Sequence, residues 1–268
     1  MQENELILLG PWQLVLAAGL ILLNGAVSLM LKLGLERRLL VASIRTVVQL
    51  LLIGLVLEWI FFPGRPWYVV TALMLVMTLI AAGAAVRRTG YRYRGIWADS
   101  IVAMGASSWL IAAVALLGII RPDKWYMPQY AIPLLGMILG TTLNGISLGL
   151  DRLGEELDTK RDQVETLLAL GATRWEAAHE AIQRAVRTGM IPLINRMMIV
   201  GLVNLPGMMT GQILGGVEPF QAVMYQIVVM FLVAAGASLG ACSAVLSSYL
   251  RLFSKDHQFL AERLVKRE

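Results

Sequence analysis

The chain has 268 residues, of which 57% are hydrophobic and 15% charged, with a formal net charge of +5. A soluble domain carries roughly 25% charged residues, so this composition excludes an ordinary soluble fold and indicates an integral membrane protein. Its single cysteine, Cys242, cannot form an internal disulfide, and the surplus of basic residues bears on membrane orientation, with no nucleic-acid partner implied.

A helix crosses the hydrocarbon core with about 20 apolar residues. Taken in chain order, stretches of that kind fall at 6–31, 39–57 (where Arg45 is the one charge), 66–86, 100–120, 125–150, 197–217 and 219–250. The expected fold is therefore all-α, with about seven transmembrane helices in a single transmembrane domain over 1–268. The first stretch reads as a retained span, because no basic segment precedes it and its positive charges follow it. The short interruption at 217–219 predicts a tight hairpin between the last two spans.

Charge alternates between the connections. Lys32, Arg37 and Arg38 follow the first span, Arg87, Arg88, Arg92 and Arg94 the third, and Arg251, Lys255, Arg263, Lys266 and Arg267 the last. The intervening connections are poor in positive charge: Glu58 with Arg65, then Arg121 and Lys124 with Asp123, then Glu218, and the N-terminus carries Glu3 and Glu5. The positive-inside rule places the N-terminus outside and the C-terminus in the cytoplasm of a plasma (inner) membrane protein.

Residues 151–187 then form one large cytoplasmic loop, holding eight acids and six bases. Leu150, Leu153, Leu157, Val164, Leu167 and Leu168 recur at roughly helical spacing. Gly171 suits a position of positive φ just past a helix end. Thr173 followed by Glu176 has the spacing of a capping box and opens a second helix near Trp175. The loop is expected to be a helix, a glycine turn and a helix.

Polar groups inside spans are functional candidates. Arg45 and Gln49 share one helix face, with snorkelling of Arg45 to the interface as the plainer reading. In the fifth span Gly136/Gly140 and Gly145/Gly149 are small-residue pairs suited to close helix approach, and Asn144 is the candidate for a path-lining group. In the sixth span Pro192, Pro206 and Gly207 interrupt the pattern. Pro206 is expected to kink the helix, presenting Met208, Met209 and Gln212 to a translocation route. Methionine also serves as plain core filler. Metal ligands stay unassigned: His179 and His257 lie outside the spans, no span holds a central Asp, Glu or His, and thioethers suit softer ions than iron.

The segment ETLLALGATRWEAAHEAI, 165–182, resembles the cytoplasmic loop of ABC transporter permeases that docks in a groove of the ATPase subunit. Glu165 matches its glutamate, and Ala169 and Gly171 its later small residues. Thr166 and Leu167 depart from the usual alanines. The segments RTVVQLLLIG, IPLLGMILGTTLNGISLGL and VGLVNLPGMMTGQILGGVEPFQAVMYQIVVMF, within 45–250, resemble the FetB-like family of ABC permeases, bacterial iron exporters with plant relatives linked to aluminium tolerance. The resemblance implies an ATP-driven exporter, most simply of iron, with Glu165, Ala169, Gly171, Thr173, Trp175 and Glu176 docking a separate ATPase. The chain itself is then no enzyme and holds no cofactor. It has five lysines, none following a glycine, so no phosphate loop is possible, and ATP with magnesium belongs to the partner. A homodimer in membrane lipid is the simplest assembly. Alternatives are another cargo, such as a different metal or a sugar nucleotide, or an energy-independent secondary transporter or channel.

Overall fold

The computed structural model describes residues 10–62, 64 and 66–267. Glu3, Glu5 and Arg65, which enter the orientation argument, lie outside them. The chain divides into two compact units, Met1–Arg65 with Leu214–Gly216, and Pro66–Ile213 with Val217–Glu268.

In the first unit, α1 (Pro11–Met30) and α2 (Glu36–Phe61) form a helical hairpin. Proline at the first turn starts α1 without losing a needed donor. Gly34 turns the chain at φ +66°, and Ser28 on α1 donates to Glu36 (3.0 Å) while accepting from the Leu35 amide (3.1 Å). The outward faces of both helices are apolar and exposed, as lipid-facing helices require.

The second unit holds α3 (Trp67–Arg88), α4 (Ile96–Ala113, prolonged by a π-helical turn Val114–Ile120), α5 (Pro128–Thr159), α6 (Arg161–Ala169), α7 (Arg174–Ile199), α8 (Gly207–Leu214) and α9 (Pro219–Leu252). Its core is the meeting of α5, α7 and α9, and small residues make that meeting possible. A side chain at Gly189 would reach 2.6 Å from the Gly145 carbonyl oxygen, and one at Gly149 would reach 3.2 Å from Val245 and 3.5 Å from the Ala185 carbonyl. Close backbone approach of this kind maximises dispersion contact, the main attraction between helices in lipid. Gly145/Gly149 therefore does what its spacing predicts. Gly136/Gly140 does so only in part: Gly136 faces Met77, whereas nothing lies within 4 Å of a Cβ placed at Gly140.

Six helices among the described residues are long and apolar enough to cross a membrane: α1, α2, α3, α4 with its π turn, α5 and α9. The sixth predicted span, 197–217, is not one helix. Helix α7 runs unbroken through Pro192 and ends at Ile199, residues 200–206 leave helical conformation with Gly201 at φ +83°, and α8 begins at Gly207. The expected kink at Pro206 is thus a complete break. Pro206 cannot donate to the preceding turn and disfavours helical backbone at Leu205, while the Gly201 amide is satisfied locally by the Asn204 carbonyl (3.0 Å). Helix α7 tolerates Pro192, which the sequence reading counted among the interruptions.

Three segments read as cytoplasmic converge at one end of this unit. Strand β1 (Tyr91–Arg92) pairs antiparallel with β2 (Val265–Lys266) of the tail. The Gly90 amide donates to Asp151 at 2.7 Å and Tyr91 Oη to Asp158 at 3.1 Å, joining the same turn to the end of α5. Burial pushes the Tyr91 hydroxyl up from its ordinary range, and the Asp158 hydrogen bond pushes it further. Asp99, buried at the start of α4, accepts from Tyr93 (2.9 Å) and Arg251 (2.5 Å). Glu156, buried on α5, accepts from Arg152, Lys160 (2.9 Å) and Arg184 of α7 (3.3 Å). A carboxylate so buried persists as an anion only with such partners.

Gly189→Val is expected to lower the stability of the detergent-solubilised protein by about 1–3 kcal/mol, read as an earlier thermal unfolding transition. Gly140→Ala, where there is open space, is expected to leave the transition in place or raise it slightly.

Candidate functional site

Two features of the second unit hold most of the candidate site residues: the α6–α7 elbow and a cavity at the α7 break. The elbow follows the expected plan with one refinement. Helix α5 continues the apolar stripe to Thr159, and Lys160 separates it from α6. The chain reverses through Gly171, whose φ is +94°. Thr173 then caps α7. Its amide donates to the Glu176 carboxylate (2.7 Å), its hydroxyl to the same oxygen (2.8 Å), and the Glu176 amide returns a bond to the hydroxyl (3.3 Å). The Thr173 amide bond, reinforced by the hydroxyl, holds the Glu176 carboxyl below its ordinary range.

Leu170 is 80% exposed and Trp175 45% exposed, with Glu165, Ala169 and Gly171 exposed around them and Glu165 paired to Arg161 (2.7 Å). Trp175 is also an internal strut. Its ring lies edge-on to Tyr249 of α9 (5.7 Å), which continues through Phe253 to Phe259 in the tail. The tail reaches the first residue of α7 as well: the Arg174 amide donates to His257 Nδ1 (2.9 Å) and its guanidinium to the Ser254 carbonyl (3.2 Å).

The cavity has a volume of about 540 Å³ and lies between α5, the end of α7, the 200–206 break and α9. Asn144, Pro206, Gly207 and Met208, all expected on the path, line it. So do Gly140, Thr141, Arg196, Asn204 and Gln226, which the sequence reading did not select. Asn144 Oδ1 accepts from Arg88 (2.8 Å). Met209 faces instead an apolar cavity of about 570 Å³ that shares Pro206 and Gln226 with the first. Gln212 is on α8 outside both linings, its Oε1 buried and unpartnered among the described residues. Arg45 and Gln49 are exposed on α2 of the first unit.

Comparison with known proteins bears directly on these features. The model of a family described as "Uncharacterised protein family (UPF0014)" matches residues 11–253, which takes in both elbow and cavity. The chain belongs to the UPF0014 family. Among its relatives, the UPF0014 membrane protein slr1647 of Synechocystis is 39% identical over 241 residues, covering 89% of this chain and 93% of that one. The probable iron export permease protein FetB of Escherichia coli is 31% identical over 258 residues, covering 95% and 96%. The UPF0014 membrane protein STAR2 of Oryza sativa is 32% identical over 243 residues, covering 91% and 82%. No solved structure matches the chain.

Within this membrane family, then, the chain brings four of the eight expected path residues to one cavity. Arg196 was missed because it stands near enough to the charged loop to read as its margin. Asn204 and Gln226 were missed because a sequence does not show that 200–206 leaves the helix and opens a wall. Leu170 was missed because it falls out of phase with the apolar stripe, and that mismatch was the available signal.

The capping box carries a pH expectation. Because the Glu176 carboxyl is held below its ordinary range, the carboxylate half of the cap contributes fully above the ordinary carboxylate range and is lost as pH falls through the lowered value. Hydrogen exchange at the Thr173 amide, which donates to the Glu176 carboxylate, corrected for intrinsic rates, is expected to be flat between about pH 6 and 8 and to rise on acidification. Glu176→Gln is expected to remove the pH dependence.

Proposed function

We propose that the chain is the transmembrane subunit of an ATP-driven exporter, working as a homodimer with a separate ATPase and carrying iron out of the cytoplasm. The elbow is the observation that carries this reading. An exposed apolar tip, Leu167, Leu170 and Trp175, projects from an end otherwise rich in paired charge. Exposed apolar surface rimmed by polar groups marks a protein contact. The same α7 that begins at this tip ends at the cavity, roughly 39 Å away for a straight helix of its length. A push at Thr173 reaches the cavity wall without passing through a flexible joint.

The cargo is argued from likeness to the iron export permease of Escherichia coli over nearly the whole of both chains. The ATPase is argued from the elbow and from the missing phosphate loop. One elbow per chain and the two-fold habit of homo-oligomers support the dimer. The positive-inside pattern supports a cytoplasmic elbow and C-terminus with the N-terminus outside, and the two basic segments that meet in the second unit, the turn at 87–94 and the tail, agree in lying on one side.

The test is assembly. Leu170→Asp is expected to cut co-purification of the co-expressed ATPase by at least about tenfold, since a lost interface anchor costs about 2 kcal/mol, while leaving the permease's unfolding transition unchanged. Trp175→Ala is expected to lower both, because its ring also braces Tyr249. Thr173→Cys, in a Cys242→Ser background, is expected to resist impermeant thiol reagents in intact cells. Full ATPase recovery with Leu170→Asp, or labelling of position 173 from outside, contradicts the reading.

A further inference from the structure

We propose that the cavity at the α7 break receives an oxyanion, so that the metal travels as a complex presenting carboxylate or phosphate oxygens and not as a bare cation. This rests on the reading of the chain as a metal exporter and specifies the form of its cargo.

Donors and charge in the cavity both favour an oxyanion. The cavity lining includes Arg196 and, among the described residues, no Asp or Glu. Arg196 takes part in no ion pair among the described residues. It lies one turn before the end of α7, far along the helix from the elbow. A charged group at that depth requires a partner or a water-filled path, and guanidinium geometry suits planar or tetrahedral oxyanions.

Asn144 adds to the same polarity. Its carbonyl oxygen already accepts from Arg88 at 2.8 Å, which leaves its amide N–H groups as what it can offer the cavity and brings a second guanidinium beside one wall.

A bare divalent ion meets the opposite conditions. Hard cations take several oxygen ligands, usually with carboxylates among them. Here the ion would face the repulsion of Arg196 with no carboxylate to offset it. A complex whose ligands have already neutralised the metal and left an anionic face reverses the sign of that interaction.

The experiment is direct binding to the full-length chain in detergent, without the ATPase, by titration calorimetry. Ferric citrate is expected to bind saturably. Arg196→Ala is expected to weaken it by roughly tenfold or more, the scale of a lost charge-assisted bond, and Arg196→Lys by less. Unfolding transitions matching the wild type establish that the variants are folded. Competition separates the sources: inorganic phosphate that displaces ferric citrate identifies a general oxyanion face, and citrate alone as the only competitor identifies a carboxylate face. Either outcome supports the proposal. Saturable anaerobic binding of aqueous Fe²⁺ without an anion, unchanged ferric citrate affinity in Arg196→Ala, or no ferric citrate binding by folded wild type overturns it. Failure of the exporter reading has a separate signature, binding intact but no ATP-dependent transport by the reconstituted complex.

Discussion

The near-contact of the Gly189 and Gly145 backbones is the constraint on which the second unit depends. Lipid chains are as apolar as leucine, so helices gain little by hiding apolar side chains from them. What remains is close packing, and that demands positions without bulk. Gly145, Gly149 and Gly189 supply them where α5 meets α7. Gly236 and Gly240 do the same on α9, where a side chain at Gly236 would reach 2.7 Å from Ile138 and one at Gly240 would overlap Thr142. The three helices thereby pack as one unit, and both candidate sites are mounted on it. The elbow is the start of α7, and the cavity is what opens where α7 stops.

The charged end of the unit solves a different problem. Glu156 and Asp99 are buried carboxylates, and each would be costly alone. Glu156 is surrounded by cations from both α5 and α7, while Asp99 joins the start of α4 to Arg251 near the end of α9. The tail closes the arrangement by pairing with β1 and reaching His257 to the first amide of α7. The base of α7 is therefore held by its own capping box, by Trp175 against Tyr249 of α9, and by the tail at Arg174. That grip is what the proposed transmission of displacement along α7 requires.

Much of this was legible in the residues. The helix–glycine–helix elbow was, because Gly171 and the Thr173–Glu176 spacing are local signals whose geometry tertiary contacts need not modify. The Gly145/Gly149 approach was legible for the same reason, as a period on one helix face. The break at 200–206 was underestimated. Pro206 signals a disturbance, but its extent depends on which backbone groups find partners elsewhere, and the Gly201–Asn204 bond that forms in the break is not visible in composition. Pro192 was overestimated, since a proline's effect depends on the strength of the packing around it, and here α7 is held on both sides. The cavity's polarity was half legible: Asn144 stood out as an amide in an apolar run, whereas Arg196, Asn204 and Gln226 acquire meaning only once α7 ends beside α9.

These parts combine into one mechanical account, in which α7 is a rigid rod between an ATPase-docking elbow and the wall of a cargo cavity. The most direct test is pulsed electron–electron distance measurement on the reconstituted permease–ATPase complex in a Cys242→Ser background. One spin-label pair spans the rod, at positions 173 and 194, and the other spans the break, at positions 130 and 203. The account predicts an unchanged 173–194 distance and a shifted 130–203 distance between nucleotide-free and ATP-bound states. A rod pair that changes length, or a break pair that stays fixed while transport proceeds, would contradict it.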